Sequence, residues 1–486
     1  MKKQTSTRLE KKPPDNKPNK PSYFAKQEKV YPKRVWGRFR KLKWIAMIIT
    51  LAIYYLTPFI RWDRGPYMPD QAVLIDLPNR KAYWFWIEIW PQEVYILTGL
   101  LILAAVALFF VTALFGRVWC GYFCPQTVWT DLFVWVERIV QGDRNARKKL
   151  HNSPWNWDKI KKISLTHFLW LVIAWCTAGS FVLYFNDAPE LVLSFFRFDV
   201  SPTVLVFIVG LTLSTYLMAG FAREQVCTYM CPYARFQSAM FDEDTLIIGY
   251  DEERGEPRGK HKKGESWDGR GHCIDCTACV QVCPVGIDIR EGLQMECIAC
   301  GLCVDACNNI MDLVNLPPDL IRYDTLNHLE AKKKGGNEKF NILRLRSLYY
   351  ALILLAVGLV MLYALWTRPL VELHAMHDRN PVFVKLSDGE IRNKYTIKIL
   401  NKTHDHHDFI ISLNDFENAS LDVIGSKGVD SEHLHVKAGE VGTFKIAVKA
   451  PPQGQNSIDA TLEILSHGGG LKAEQDIQFI SRLGGQ

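Results

Sequence analysis

The chain has 486 residues, 48% of them hydrophobic and 12% aromatic, and a formal charge of +7. That length allows two or three domains. The basic residues flank apolar blocks rather than forming a groove for phosphates, which argues for a membrane protein and against a nucleic-acid binder.

Residues 1–43 carry fifteen Lys and Arg, are rich in Pro and contain no apolar core region. They read as a disordered basic cytoplasmic tail, without a signal peptide. Five apolar blocks near the length of a bilayer crossing follow, at 44–60, 94–115, 163–185, 203–221 and 348–366. Between the first two, AYWFWIEIW at 82–90 is too short to span and contains Glu88, so it reads as an interfacial aromatic segment. The loop 116–162 carries nine Lys and Arg, whereas 186–202 carries only Arg197. Positive charge favours the cytoplasmic side. The N terminus, 116–162 and 222–347 are therefore expected in the cytoplasm, and everything past 367 outside. The expected organisation is the tail 1–43, a four-span unit 44–222, a cytoplasmic segment 223–347, the fifth span 348–366 and an exported domain 367–486.

The second and fourth spans are each followed by a C-x3-C-P motif. One is Cys120 to Pro125, preceded by Arg117; the other is Cys227 to Pro232, preceded by Arg223. The prolines suit the first position of a new helix, and QTVWTDLFVWVERIV and YARFQSAMF read as amphipathic interfacial helices. If each motif stays helical, its two sulfurs share one face. Cys120, Cys124, Cys227 and Cys231 could then form one site of soft sulfurs for Cu(I) or an additional iron–sulfur centre. They could also cycle as redox dithiols. His167, inside the third span, is a functional candidate because ionisable groups are costly there. Cys176 stands alone in the same block and reads as a small buried hydrophobe.

The strongest signal runs from Cys273 to Cys307, within an expected ferredoxin domain at about 265–315. It holds two successive C-x2-C-x2-C-x3-C runs. In two-cluster ferredoxins the fourth cysteine of each run ligates the other cluster. That assigns Cys273, Cys276, Cys279 and Cys307 to one [4Fe–4S] cluster, and Cys297, Cys300, Cys303 and Cys283 to the second. Zinc sites usually take two cysteine pairs, and disulfide frameworks belong to small secreted domains. Two adjacent clusters imply one-electron transfer with a cytoplasmic donor.

Beyond the last span, 379–486 reads as β structure, with alternation in KYTIKIL and GTFKIAVKA. An immunoglobulin-like sandwich without a disulfide is expected. Eight of the 13 histidines lie past residue 367. His374, Met376 and His377, then His404, His406 and His407, then His433 and His435, are candidate copper ligands. Nucleotide-binding glycine loops and a haem-attachment CxxCH motif are absent.

The stretches DRGPYMPDQAVLIDLP, TALFGRVWCGYFCPQTVWTDLFVWVERIVQGDRNAR, REQVCTYMCPYARFQSAM and DRNPVFVKLSDGEIRNKYTIKILNK, with the doubled cysteine run, resemble the cytochrome c oxidase accessory protein family of the FixG/CcoG type. The resemblance covers the chain from about residue 30 onward. It implies a bacterial inner-membrane protein with five spans, an inserted two-cluster ferredoxin domain and a C-terminal immunoglobulin-like domain in the periplasm. It also implies a role in assembling the cbb3-type cytochrome c oxidase by reducing Cu(II) to Cu(I), with assembly factors and copper chaperones as partners. Cys120, Cys124, Cys227 and Cys231 fall on the family's C-x3-C-P motifs; His374 and His377 lie outside its core pattern. A homo-oligomer is compatible with the sequence. The rival readings are a quinol-linked electron-transfer subunit and a non-enzymatic copper-handling assembly factor.

Overall fold

The computed structural model describes residues 29–262, 266–336, 340–425, 433–452 and 455–481. Most of the basic tail, 1–28, lies outside these residues. Five helices are long and apolar enough to cross a membrane: Arg38–Phe59, Pro91–Phe115, Trp157–Val182, Pro202–Ala222 and Leu345–Trp366. Helices suit this environment because all their backbone bonds stay within the segment. Their outward faces carry exposed Leu, Ile, Val and Phe side chains, as contact with lipid requires. Cys176 is exposed among them rather than buried, because its turn of the helix faces outward.

The first helix begins at Arg38, not at residue 44, so residues 38–43 are ordered where a disordered tail was expected. The cause lies far along the chain. The Asp305 carboxylate accepts from the free N–H groups of Phe39 at 3.1 Å and Arg40 at 2.7 Å, a capping role that suits the positive helix end. Arg40 then forms two bonds to Asp131, at 3.0 and 2.8 Å. Gly37 is required here, since a Cβ would lie 2.2 Å from Asp305.

The aromatic stretch 82–90 folds as a hairpin. Val73–Asp76, Lys81–Trp84 and Ile87–Ile89 form a three-stranded antiparallel sheet. Left-handed Arg80 and Phe85 (φ 55° and 53°) make the two tight turns. Glu88 and Glu93 are both buried.

The C-terminal domain is a sandwich. Its five-stranded sheet contains Val371–His377, Val384–Lys385, Ile391–Asn401, Ser420–Ile424 and Val441–Ala450. The facing sheet contains His407–Asn414, His433–Val436, Ser457–Ser466 and Lys472–Ile480. Alternating residues such as Tyr395, Ile397 and Ile399 meet Phe409, Leu462 and Phe479 in one buried core. Strand structure starts at Val371, eight residues before the expected 379.

At one end the first and second long helices reach the ferredoxin unit through Arg40 and Arg117. At the other, the first and third meet the residues beside the hairpin, the second meets the sandwich, and the fourth packs on helix Ala188–Phe196. The ferredoxin unit is wider than its cysteine run. Strands Ile247–Tyr250 and Ile321–Asp324 pair antiparallel and bracket helices Ala278–Val282 and Leu302–Leu313.

Candidate iron–sulfur and thiol site

The two cysteine runs fold as near copies. Left-handed residues fall two places after Cys273 and Cys297, at Asp275 and Ala299. They recur one place after Cys276 and Cys300, at Thr277 and Gly301. Positive φ at non-glycine positions is uncommon, so the repeated pattern marks two loops wound the same way. Each loop curls around a hollow with about 350 Å³ of empty space. Cys273, Cys276, Cys279 and Cys307 line one; Cys283, Cys297, Cys300 and Cys303 line the other, with Cys279 on the shared wall. Cys307 thus stands with the three cysteines of the first run and Cys283 with those of the second.

All thirteen cysteines are free. Burial pushes the thiols of Cys279, Cys297 and Cys307 up to about 12 and that of Cys283 to about 11. Thiolates so placed need bound cations, and metal binding would release their protons. Among the described residues no three His, Cys, Asp or Glu side chains close on one ion position. Two cysteine quartets, each around its own hollow, fit four-iron clusters.

The first C-x3-C-P motif packs against the second loop. The Tyr122 hydroxyl donates to the Cys300 carbonyl at 3.0 Å. Cys120, Ile298 and Cys300 share one buried cluster. At Gly121 a Cβ would lie 2.7 Å from the Ile298 carbonyl, so only glycine allows this approach. Arg117 clamps the seam by donating to the carbonyls of Met295 and Ala234.

Neither C-x3-C-P motif is one continuous helix. Cys120 sits in Val118–Tyr122 and Cys227 in the π-helical turn Val226–Met230. Cys124 and Cys231 have extended backbone (ψ 127° and 111°) and precede helices Pro125–Gln141 and Pro232–Met240. The proline explains the break, because it disfavours helical geometry in the residue before it. The sulfurs are therefore set by two helix junctions, not by one helix face.

The segments that carry the two motifs are joined where Gln126 Nε2 donates to the Arg223 carbonyl at 3.1 Å. Burial pushes the Cys120 thiol up to about 12, and Cys124 and Cys227 add to the rise. Burial pushes Cys227 up to about 11, with Cys124 and Cys231 adding to it. Cys120 also donates to Gln237 Oε1 at 3.5 Å. Gln237 is fully buried and its Nε2 has no partner among the described residues. Arg223 holds the second motif by bonding Glu137 at 2.7 and 3.3 Å. Gly121, Tyr122, Gln237, Glu137 and Asp305 were not evident as site residues from sequence. Only Glu137 carried a signal, as an acid amid the apolar face of VWVERIV.

The histidines of the sandwich meet in pairs, but among the described residues no three His, Cys, Asp or Glu side chains gather there to hold a metal ion. His374 and Met376 are exposed on strand Val371–His377, while His377 lies on its other face and pairs with Asn393 at 2.7 Å. His404 bonds Glu88 at 2.7 Å and His435 bonds Asp408 at 2.8 Å. His406 accepts from the Ala438 N–H at 2.9 Å, His407 lies 6.0 Å from Phe409 between ring centres, and His433 stacks on His467. Alternation sets His377 apart from His374 and Met376, while His433 and His435 share one exposed face with His406 5.8 Å from the His435 ring; each ring has its own partner, and we propose no copper site there. His167 bonds the Tyr216 hydroxyl at 2.9 Å.

Comparison with known proteins matches this layout. A family model described as a 4Fe-4S dicluster domain covers residues 222–326, and a 4Fe-4S binding domain model covers 97–142. A third, for an IG-like fold at the C-terminal of FixG, covers 361–482. The nitrogen fixation protein FixG of Rhizobium meliloti is 44% identical over 458 residues, spanning 88% of this chain and 87% of that protein. The chain belongs to the FixG family. Protein RdxB of Cereibacter sphaeroides is likewise 44% identical over 469 residues, or 95% of this chain and 98% of that one. A crystal structure of a FixG-related protein from Vibrio parahaemolyticus aligns with 24% of this chain at 19% identity, with a TM-score of 0.21. This member of the FixG family is an iron–sulfur membrane protein of electron-transfer type, with an IG-like C-terminal domain.

Proposed function

We propose that the protein reduces Cu(II) to Cu(I) at the C-x3-C-P cysteines, for assembly of a cbb3-type cytochrome c oxidase in the bacterial inner membrane. The observation that carries this reading is the direct packing of Cys120 and Tyr122 on the Cys297–Cys303 loop. Cys273, Cys276, Cys279 and Cys307 would hold one [4Fe–4S] cluster, and Cys283, Cys297, Cys300 and Cys303 the other. When bound, these groups supply one-electron chemistry.

The chain's own contribution is placement. Gly121 lets the motif sit flush on the loop, and Arg117 fixes the seam. Cys120, Cys124, Cys227 and Cys231 bind copper, and soft thiolates favour Cu(I) over Cu(II). Each cupric ion takes up one electron, drawn from a cytoplasmic donor. The clusters face the cytoplasm, the sandwich the periplasm, and oxidase assembly factors and copper chaperones are the partners.

The test is anaerobic purified protein with dithionite and Cu(II), read with a Cu(I)-specific chelator. Wild type turns over repeatedly. The variant with all four cysteines changed to Ser keeps its iron but loses turnover; persistence of cupric reduction in that variant sinks the reading. A burst that stops at one Cu(I) per thiol marks simple thiol oxidation.

The 4Fe-4S binding domain model over 97–142 includes Cys120 and Cys124, which favours a second reading. There the four cysteines hold an additional iron–sulfur centre. Two clusters require about eight irons per chain; a higher count that falls to eight in the four-Ser variant would select this alternative.

A further inference from the structure

A hollow with about 990 Å³ of empty space lies on the ferredoxin side of the membrane helices, apart from the cysteine sites. Helices Pro125–Gln141, Arg144–Asn152 and Trp157–Val182 and the π-helical turn Met218–Ala222 enclose it. Its walls are aromatic. The His167 ring meets Trp170 edge-on at 5.1 Å and stacks with Phe221 at 5.9 Å. Tyr216 bonds Nδ1 of His167, which leaves Nε2 for a ligand. Across the hollow, the Arg147 side chain is only 1% exposed. It gives Nη1 to Glu137 and Nη2 to the Pro32 carbonyl, both at 2.7 Å. Its buried Nε has no partner among the described residues.

The charges in this lining are largely engaged. Arg147 bonds Glu137, which it shares with Arg223, and Lys159 donates to the carbonyls of His151 and Ser153 at 2.8 and 2.6 Å. Lys29 lies over the Tyr31 ring at 5.5 Å. An anionic headgroup would have to compete for those cations. Aromatic walls with one imidazole nitrogen and one guanidinium N–H on offer suit a flat, neutral ring with carbonyl oxygens. Phe221 is 54% exposed at the rim, so the approach is from lipid. Ligand pockets of this kind combine an apolar lining with a few placed polar groups, and an ionisable residue within a span marks a functional site.

We propose that this hollow binds the ring of a quinone-class lipid carrier, with His167 and Arg147 as its hydrogen-bonding residues. Arg223, which bonds Glu137 and precedes Cys227 by four residues, ties the hollow to the second C-x3-C-P motif. A hydroquinone bound there would release two electrons and two protons and become the quinone, while two cupric ions each take one electron. That donor role, in place of the cytoplasmic donor, rests on the proposed copper reduction; the binding site does not.

The experiment uses full-length protein in nanodiscs and a short-chain ubiquinone analogue, with quenching of tryptophan fluorescence as readout. Wild type shows saturable quenching. His167→Leu removes the hydrogen bond and Leu150→Trp fills the hollow, and each weakens binding at least tenfold. His167→Gln restores binding to within about threefold, and unchanged iron content shows that each variant is folded. Quenching that does not saturate, or that is equal in all variants, overturns the site. So does complete competition by phosphatidylglycerol, which would make it a lipid-headgroup pocket. If the analogue binds but its reduced form yields no Cu(I) while dithionite does, the donor role is overturned. Failure with both reductants overturns copper reduction and leaves the binding site standing.

Discussion

The Tyr122 hydroxyl and the Cys300 backbone carbonyl are joined by a 3.0 Å hydrogen bond. That bond ties a thiol motif at the membrane surface to the loop that would hold a cluster. Gly121 beside it has no room for a side chain. Gly121→Ala is therefore expected to separate the two surfaces without removing a ligand. Cupric reduction should fall at least tenfold while iron content stays at the wild-type level. Tyr122→Phe should be milder, since a hydrogen bond contributes about 1 kcal/mol. Equal rates in Gly121→Ala and wild type would show that the contact is unimportant for electron delivery.

Glu137 is the shared anion of two buried cations. Arg147 and Arg223 both reach it at 2.7 Å, and all three side chains are under one-tenth exposed. Burial opposes its charge, but the two guanidinium groups outweigh burial and hold its carboxyl below the ordinary range. Glu137→Gln leaves two buried cations without a counter-charge. Breaking a buried pair in this way costs about 3–5 kcal/mol. The thermal midpoint in detergent should drop clearly, and Arg147→Met in the same chain should recover part of the loss. A variant as stable as wild type would show that water reaches these groups.

Two kinds of information were legible in the sequence. Local spacing was: the cysteine runs, the apolar blocks and the alternating strands each declare themselves within a few residues. The relation between distant segments was not. Residues 38–43 look like a charged tail because Asp131 and Asp305, which neutralise and cap them, lie about 90 and 265 positions away. The hairpin at 73–89 was hidden because its aromatic run imitates a membrane-interface belt. The C-x3-C-P prolines announce new helices, but spacing alone does not show whether the cysteine before each proline stays helical, and Cys124 and Cys231 do not.

Asp251 provides a pH-dependent test of the ferredoxin unit. Its side chain is 2% exposed. It accepts from Lys332, from Arg322 at 3.3 Å and from the Arg254 N–H at 3.2 Å. Burial would raise its pKa, but these partners prevail and hold it below the usual carboxylate range. A depressed folded value stabilises the fold above the unfolded value of about 3.9, and that contribution is lost as pH falls through the folded value. Asp251→Asn should be less stable than wild type at pH 7, and the gap should close below about pH 4. Denaturant midpoints across that range measure it; a constant gap would mean that charge is not the cause.

The sandwich is held to the membrane unit by a cluster of buried charges centred on Glu93. Glu93, just before the second long helix, is 2% exposed and bonds both Lys402 and Arg368 at 2.7 Å. Lys402 is 1% exposed and also reaches Glu372 at 2.6 Å. Beside them, His404 bonds Glu88, and Lys81 donates to the Gly439 carbonyl. Lys402→Met removes the cation shared by two acids, while Arg368 still serves Glu93. The expected cost is about 3 kcal/mol, the low end for breaking a buried pair. The sandwich should stay folded, because its core of Tyr395, Ile397, Phe409 and Phe479 does not use Lys402. What changes is its attachment. Limited proteolysis should cut the 367–370 linker faster in Lys402→Met than in wild type and release an intact domain. Equal cleavage would show that the linker, not the Glu93 cluster, sets the position of the domain.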